Sequence, residues 1–129
     1  MVSDPIADML TRIRNGYLAS LRRATLPYSK INESLAQILV REGYLSKIKV
    51  EDGSQKKLKL VLKYQDEKPA VTSIERISKP GRRIYIQAKQ IRPVLSGLGM
   101  MILSTPEGLL TNKEAKKKNL GGEVICRLT

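Results

Sequence analysis

Apolar residues recur at helical spacing near the start of the chain: Ile6, Met9, Leu10, Ile13, Tyr17 and Leu21 share one face, and Asp8, Thr11, Arg12 and Asn15 the other. Asp4 followed by Pro5 marks the start of this helix. The carboxylate can accept from the free N–H groups of the first turn, and proline's fixed φ suits the first helical position. Gly16 weakens the same helix. A short extended piece, Ala24 to Tyr28, leads to Ser29 and a second amphipathic helix, with Ile31, Leu35, Ile38 and Leu39 inward and Gly43 placed to end it. The period then falls to two. Ile48 and Val50 alternate with Lys47, Lys49 and Glu51, and Leu58, Leu60, Leu62 and Tyr64 alternate with Lys57, Lys59 and Lys63. Asp52-Gly53 between the two runs predicts a hairpin turn.

Gln65 to Ala70 is polar, contains Pro69 and has no apolar period, which makes it the expected boundary between two small domains. Residues 1–65 read as an N-terminal α/β domain in the order helix, strand, helix, strand, strand. Residues 70–129 read as a C-terminal, β-rich domain with one short helix, so the predicted class is α+β. Val71 to Ser78 and Arg82 to Ile86 flank a Lys79-Pro80-Gly81 turn, and Met100 to Leu103 and Glu123 to Leu128 have the content of further strands. Thr111 and Glu114 form a T-x-x-E capping box ahead of a helix over Ala115 to Asn119, with Gly121 available to terminate it.

Charge narrows the function. The chain has 24 Lys and Arg against 12 Asp and Glu, a net +12 on 129 residues, which points to a polyanionic partner. An anionic membrane is the rival. However, no run approaches the roughly eighteen apolar residues of a spanning helix, and Met1-Val2-Ser3-Asp4 opens acidic without a signal-peptide core; a soluble cytoplasmic protein is expected. Apolar residues make up 41% of the chain, enough for a core, and the absence of Phe and Trp puts the packing on Leu, Ile and Val. Cys126 is the single cysteine and there is no histidine, so neither an internal disulfide nor a zinc site is expected. The span from Arg76 to Arg92 holds six basic residues and no acidic one.

A catalytic reading finds little to work with. Cys126 has no histidine partner, and its place in an alternating strand beside Val124 and Leu128 reads as a buried structural thiol. Glu107, Glu114 and Glu123 are separated by the short helix. Gly97-x-Gly99 opens a strand and lacks the third glycine of a dinucleotide loop, and no GxxxxGK occurs. No enzyme, cofactor, metal or small-molecule substrate is expected. A binding reading uses the same residues better. Arg76, Lys79, Arg82 and Arg83 surround a tight turn where cations on two strands could follow a phosphate backbone, and Tyr85 offers a stacking ring. A solvated basic hairpin is the plain alternative. Ser104-Thr105-Pro106-Glu107-Gly108 places two hydroxyls at a strand exit, suited to ribose hydroxyls, base edges and phosphates; taken alone it is equally an ordinary turn.

The ordered segments DPIADMLTRIRN (4–15), EGYL (42–45), ISKPGRRIY (77–85), GLGMMILST (97–105) and EAKKKNLGGEVIC (114–126) resemble the bacterial small-subunit ribosomal protein S-eight family nearly end to end. The resemblance implies a two-domain structural protein without catalytic activity that binds the central domain of small-subunit ribosomal RNA early in assembly, beside neighbouring ribosomal proteins of the cytoplasmic ribosome. A messenger RNA that imitates the ribosomal site is a second partner implied for some members. By position, the resemblance assigns the RNA surface to Ser104, Thr105, Gly121, Gly122 and Glu123. The glycines would let the backbone approach RNA closely, and the wide minor groove of A-form RNA would present its hydroxyls. Glu123 could accept from a base amino group or a ribose hydroxyl, or orient the Ser104-Thr105 loop. Pro106 and Glu107 depart from many relatives, which carry a hydroxyl residue and then a lysine there. In the first domain Arg12, Arg14, Lys30 and Lys56 are candidate phosphate contacts, each also explicable as a solvated surface cation. The same holds for Lys116, Lys117 and Lys118, which the helix dipole favours anyway.

Overall fold

Asp4 lies in extended backbone, and its side chain accepts from the Ala7 N–H at 3.2 Å, so helix α1, Pro5–Leu18, begins at the predicted residue. The computed structural model describes residues 4–94 and 99–129. Gly97 therefore lies outside the described residues. Helix α1 buries Ile6, Met9, Leu10, Ile13 and Tyr17 as its pattern predicts, but Leu21 is 51% exposed. The chain leaves the helix before Leu21: Ser20 takes a left-handed φ of 56°, and the Leu21 N–H donates back to the Gly16 carbonyl at 2.8 Å. Gly16 has a packing role that outweighs its low helix propensity. A Cβ there would stand 2.7 Å from Leu62 Cδ1, so the bare spot on α1 seats a side chain of the sheet.

Strand β1, Arg23–Pro27, precedes helix α2, Lys30–Arg41, which starts at Ser29 with a side-chain bond from the Asn32 N–H and ends at Gly43. Leu35, Ile38 and Leu39 face inward as expected. Ile31 is 39% exposed instead, and Asn32 is buried next to it. The Asn32 amide donates to the Pro5 carbonyl at 3.0 Å, tying the first turn of α2 to the first turn of α1. Strands β2, Leu45–Glu51, and β3, Lys57–Leu62, complete an antiparallel sheet in the order β1-β3-β2. Leu58, Leu60 and Leu62 are buried at every second position, which is the alternation read from the sequence. The connection is longer than the predicted two residues. Glu51 pairs with Lys57, leaving Asp52 to Lys56 as the loop. Tyr64 does not continue β3; it begins β4, Tyr64–Gln65, which pairs with β5, Lys68–Pro69, around Asp66 and Glu67 at φ 51° and 65°.

Two compact units result, residues 1–70 and 71–129. The second is built on an antiparallel sheet of β6, Ile74–Arg76; β7, Tyr85–Ile86; β8, Met100–Thr105; β9, Gly108–Thr111; and β10, Gly122–Leu128. Its path is β6-β10-β8-β9, with β7 also on β10. The strands expected over 71–78 and 82–86 shrink to β6 and β7, because the buried Ser78 hydroxyl both donates to the Ile84 carbonyl and accepts from its N–H and so folds the segment onto itself. Strand β9 was not legible as a strand, since only Leu109 and Leu110 stand between a turn and a helix cap. The capping box at Thr111 and Glu114 forms as predicted, at 3.0 and 3.2 Å, and opens α3, Asn112–Lys117. Asn119, at φ 57°, ends α3 in place of Gly121. Ile91, Leu103, Leu110 and Ala115 form a core cluster here, flanked by Ile86, Met101 and Leu120. Across both units the class is α+β, as the sequence predicts.

Candidate nucleic-acid interface

The register of the second sheet brings several candidate residues into one line. Ser104 pairs with Glu123 on one side and Leu109 on the other, and Glu123 pairs with Tyr85. Directly opposed residues of antiparallel strands project from the same face. Leu109, Ser104, Glu123 and Tyr85 therefore form a row across β9, β8, β10 and β7. Tyr85 is 69% exposed, which leaves its ring open to a flat partner. Ser104 is half-buried, and its hydroxyl has no hydrogen-bond partner among the described residues.

Glu123 sits in the middle of the row with only 17% of its side chain exposed, and its carboxylate accepts from Arg83 Nη1 at 3.0 Å. Among the described residues it bonds to neither Ser104 nor Thr105. Its observed work is to hold a half-exposed guanidinium against the row, so an acidic residue here fixes a cation in place. Arg83 follows a turn in which Lys79 and Arg82 exchange backbone hydrogen bonds at 3.0 and 2.9 Å. Pro80 in its second position and Gly81 at φ 85° in its third fit a type II turn, and Lys79, Arg82 and Arg83 all emerge exposed. Arg76 does not join them; its Nη1 donates to the Ile125 carbonyl at 2.7 Å.

Thr105 is placed beside the row but is engaged locally. Its hydroxyl donates to the Gly108 carbonyl at 2.9 Å and accepts from the Glu107 N–H at 3.1 Å, closing the β8-β9 turn. Glu107 in turn holds Lys118 at 3.0 Å. The two hydroxyls that look equivalent in sequence thus differ: one is open and the other shapes the loop. Gly121 and Gly122 have a reason internal to the sheet. A Cβ on Gly122 would lie 2.1 Å from the Ser104 carbonyl oxygen, and one on Gly121 would lie 2.5 Å from that of Ile86. The backbones of β10, β8 and β7 meet at these points, which sets the position of Ser104 and Tyr85.

The candidates of the first unit are mostly held by their own neighbours. Arg12 pairs with Asp8 at 3.1 Å and donates to the Thr25 carbonyl at 2.8 Å. Lys56 stands 4.3 Å from the centroid of the Tyr28 ring, a cation–π contact. Lys30 is exposed at the first turn of α2 and Arg14 is exposed on α1. Sequence reasoning missed the Lys56–Tyr28 stacking, the Glu123–Arg83 pair and the place of Leu109 in the row, because all three depend on residues brought together only by the register or the loop path.

Cys126 is fully buried, and burial pushes its thiol up to about 12 against a partial lowering by Arg76, so it is protonated and inert at neutral pH. Among the described residues no group of acidic, Cys or His side chains could hold a metal, and no helix is long and apolar enough to cross a membrane.

A family model described as Ribosomal protein S8 matches residues 4–128. The small ribosomal subunit protein uS8 of Solibacter usitatus (strain Ellin6076) is 46% identical over 130 residues, covering 99% of this chain and 99% of that protein. The protein of the same name from Nitratidesulfovibrio vulgaris (strain DP4) is 47% identical over 128 residues, with the same coverage of both.

Proposed function

The chain belongs to the ribosomal protein S8 family, and from that premise we propose that it is a structural, non-enzymatic constituent of the small ribosomal subunit which binds the central domain of small-subunit ribosomal RNA and helps that domain assemble. The observation that carries this reading is the row of Ser104, Glu123 and Tyr85 with Arg83 fixed against it. An irregular RNA helix lying along the row would meet an open hydroxyl, a carboxylate able to accept from a base amino group or a ribose hydroxyl, and a free ring for a splayed base. Lys79, Arg82 and Arg83 supply phosphate contacts at one end. Thr105, Gly121 and Gly122 act through the backbone they hold in place. Arg12, Arg14, Lys30 and Lys56 are weaker, auxiliary phosphate contacts.

Footprinting of the purified protein on whole small-subunit ribosomal RNA tests this, with one compact protected region in the central domain as the expected result. Protection scattered over the molecule would reject it. Salt supplies a second check. If about six phosphates are neutralised, affinity falls roughly a thousandfold between about 50 and 200 mM salt, and a flat response would remove phosphate anchoring. The same row serves the narrower alternative of a repressor bound to a messenger RNA that imitates the ribosomal site. Competition between the two RNAs for one protein is its signature.

A further inference from the structure

Alternation along β8 and β10 places Met101 and Val124 on the face opposite Ser104 and Glu123. An open groove of about 400 Å³ lies there, lined by Ile77, Ile84, Ile86, Met101 and Val124 and bounded by Tyr85, Gln90 and Arg127. Of the lining residues, Ile77, Ile84, Ile86 and Met101 are only partly buried. A second hollow of about 380 Å³ shares Ile86, Gln90 and Met101 and extends to Arg92. Both are of the size that accepts one or two side chains of a partner.

We propose that this reverse face docks a neighbouring protein, through an extended segment that sets an apolar side chain in the groove and a carboxylate against Arg92. Charge selects this occupant. Arg127 is already matched by Glu75 at 2.5 Å, so the Arg127 end is close to neutral. Arg92, which lines the second hollow, is exposed and steadied by bonds from its Nη1 to the Lys89 and Ile91 carbonyls at 2.9 and 3.2 Å, and no carboxylate meets it among the described residues. An aliphatic floor with one steadied cation matches an acidic and apolar peptide. None of the turn cations Lys79, Arg82 and Arg83 that suit a nucleic acid lines this groove, whose walls are mostly aliphatic. The groove meets the RNA row only at Tyr85, since Met101 and Val124 lie on the face opposite Ser104 and Glu123, and the inference relies on the ribosomal reading only for the choice of partners offered in the test.

The chain has four methionines, of which Met9 and Met100 are core residues and Met101 lines the groove. Photoreactive diazirine methionine incorporated throughout the chain therefore reports on the groove through position 101. The labelled protein is mixed with small-subunit ribosomal RNA and the purified set of small-subunit proteins, irradiated, and its adducts mapped by mass spectrometry; co-sedimentation with the assembled particle is scored separately. The expected result is a position-101 adduct on a protein peptide with an acidic residue near an apolar one. Arg92→Glu should lower its yield about tenfold, and Arg92→Lys should preserve it. A position-101 adduct on RNA, or no intermolecular protein adduct there, overturns the docking proposal whether or not the chain sediments with the particle. A position-101 protein adduct without co-sedimentation would support docking and count against the ribosomal reading.

Discussion

The two units differ in what they do with charge. Residues 1–70 carry thirteen basic against eight acidic side chains, and residues 71–129 carry eleven against four. In the first unit Arg12 is held by Asp8 and a carbonyl, Lys59 by Glu51, and Lys56 by a tyrosine ring. In the second, a type II turn projects Lys79, Arg82 and Arg83 together, and the last of these pairs with Glu123, whose strand neighbours are Ser104 and the exposed Tyr85. The total charge points to a polyanionic partner. The arrangement supports the proposed site at the turn, because Lys79 and Arg82 meet no carboxylate among the described residues, and a cation matched by its own neighbours gains less from a phosphate than one that lacks such a partner.

Buried titratable groups give the largest contrast to test. The Cys126 thiol is raised from 9.0 to about 12 in the folded second unit. The folded state thus keeps its proton where the unfolded chain loses it. This contribution to stability is fully present below pH 9 and is lost between pH 9 and 12, at up to about 1.4 kcal/mol per pH unit. Cys126→Ala should flatten that alkaline slope in urea titrations while lowering stability at neutral pH. An unchanged slope would mean the thiol is not what titrates.

Glycine packing comes next. Gly122→Ala forces a Cβ onto backbone and should destabilise the chain by about 3 kcal/mol. Gly16→Ala in the first unit meets only the end of the Leu62 side chain, which can rotate, and part of its cost is offset by helix propensity; about 1 kcal/mol is expected. Equal losses in urea unfolding would erase this difference between the units.

RNA affinity separates them further. Tyr85→Ala should weaken binding by about 1 to 3 kcal/mol if the ring stacks, with little change in stability. Ser104→Ala should cost about 0.5 to 1.5 kcal/mol of binding. Thr105→Ala should instead cost about 1 kcal/mol of stability, because its hydroxyl closes the turn. Arg12→Ala, the smallest expected effect, should change affinity by less than about 0.5 kcal/mol. A loss from Arg12→Ala as large as that from Tyr85→Ala would put the first unit at the centre of binding.

Much of this was legible in the chain because the signals were local. Asp4-Pro5, Ser29, Gly43 and the Thr111–Glu114 box each fix an element end through one or two hydrogen bonds, and the Leu58, Leu60, Leu62 alternation declares its buried face. What failed depended on distant partners. Ile31 fits the helical stripe as well as Asn32 does, until the Pro5 carbonyl gives the amide a reason to turn inward. Gly121 looks like a helix stop, but the close passage past Ile86 requires a glycine there, and Asn119 ends the helix. The sequence brought Ser104 and Thr105 forward as a pair. Their separate roles follow from the two-residue turn that captures one hydroxyl and leaves the other open.

In the proposed mode, RNA is read by the Ser104, Glu123 and Tyr85 row of the second unit. The most direct test is equilibrium binding of the Ser104→Ala/Tyr85→Ala double variant to a central-domain ribosomal RNA fragment, at fixed salt, with unfolding measured alongside. An affinity loss of about 10- to 1,000-fold is expected at nearly unchanged stability. An affinity equal to that of the unsubstituted protein would contradict that mode.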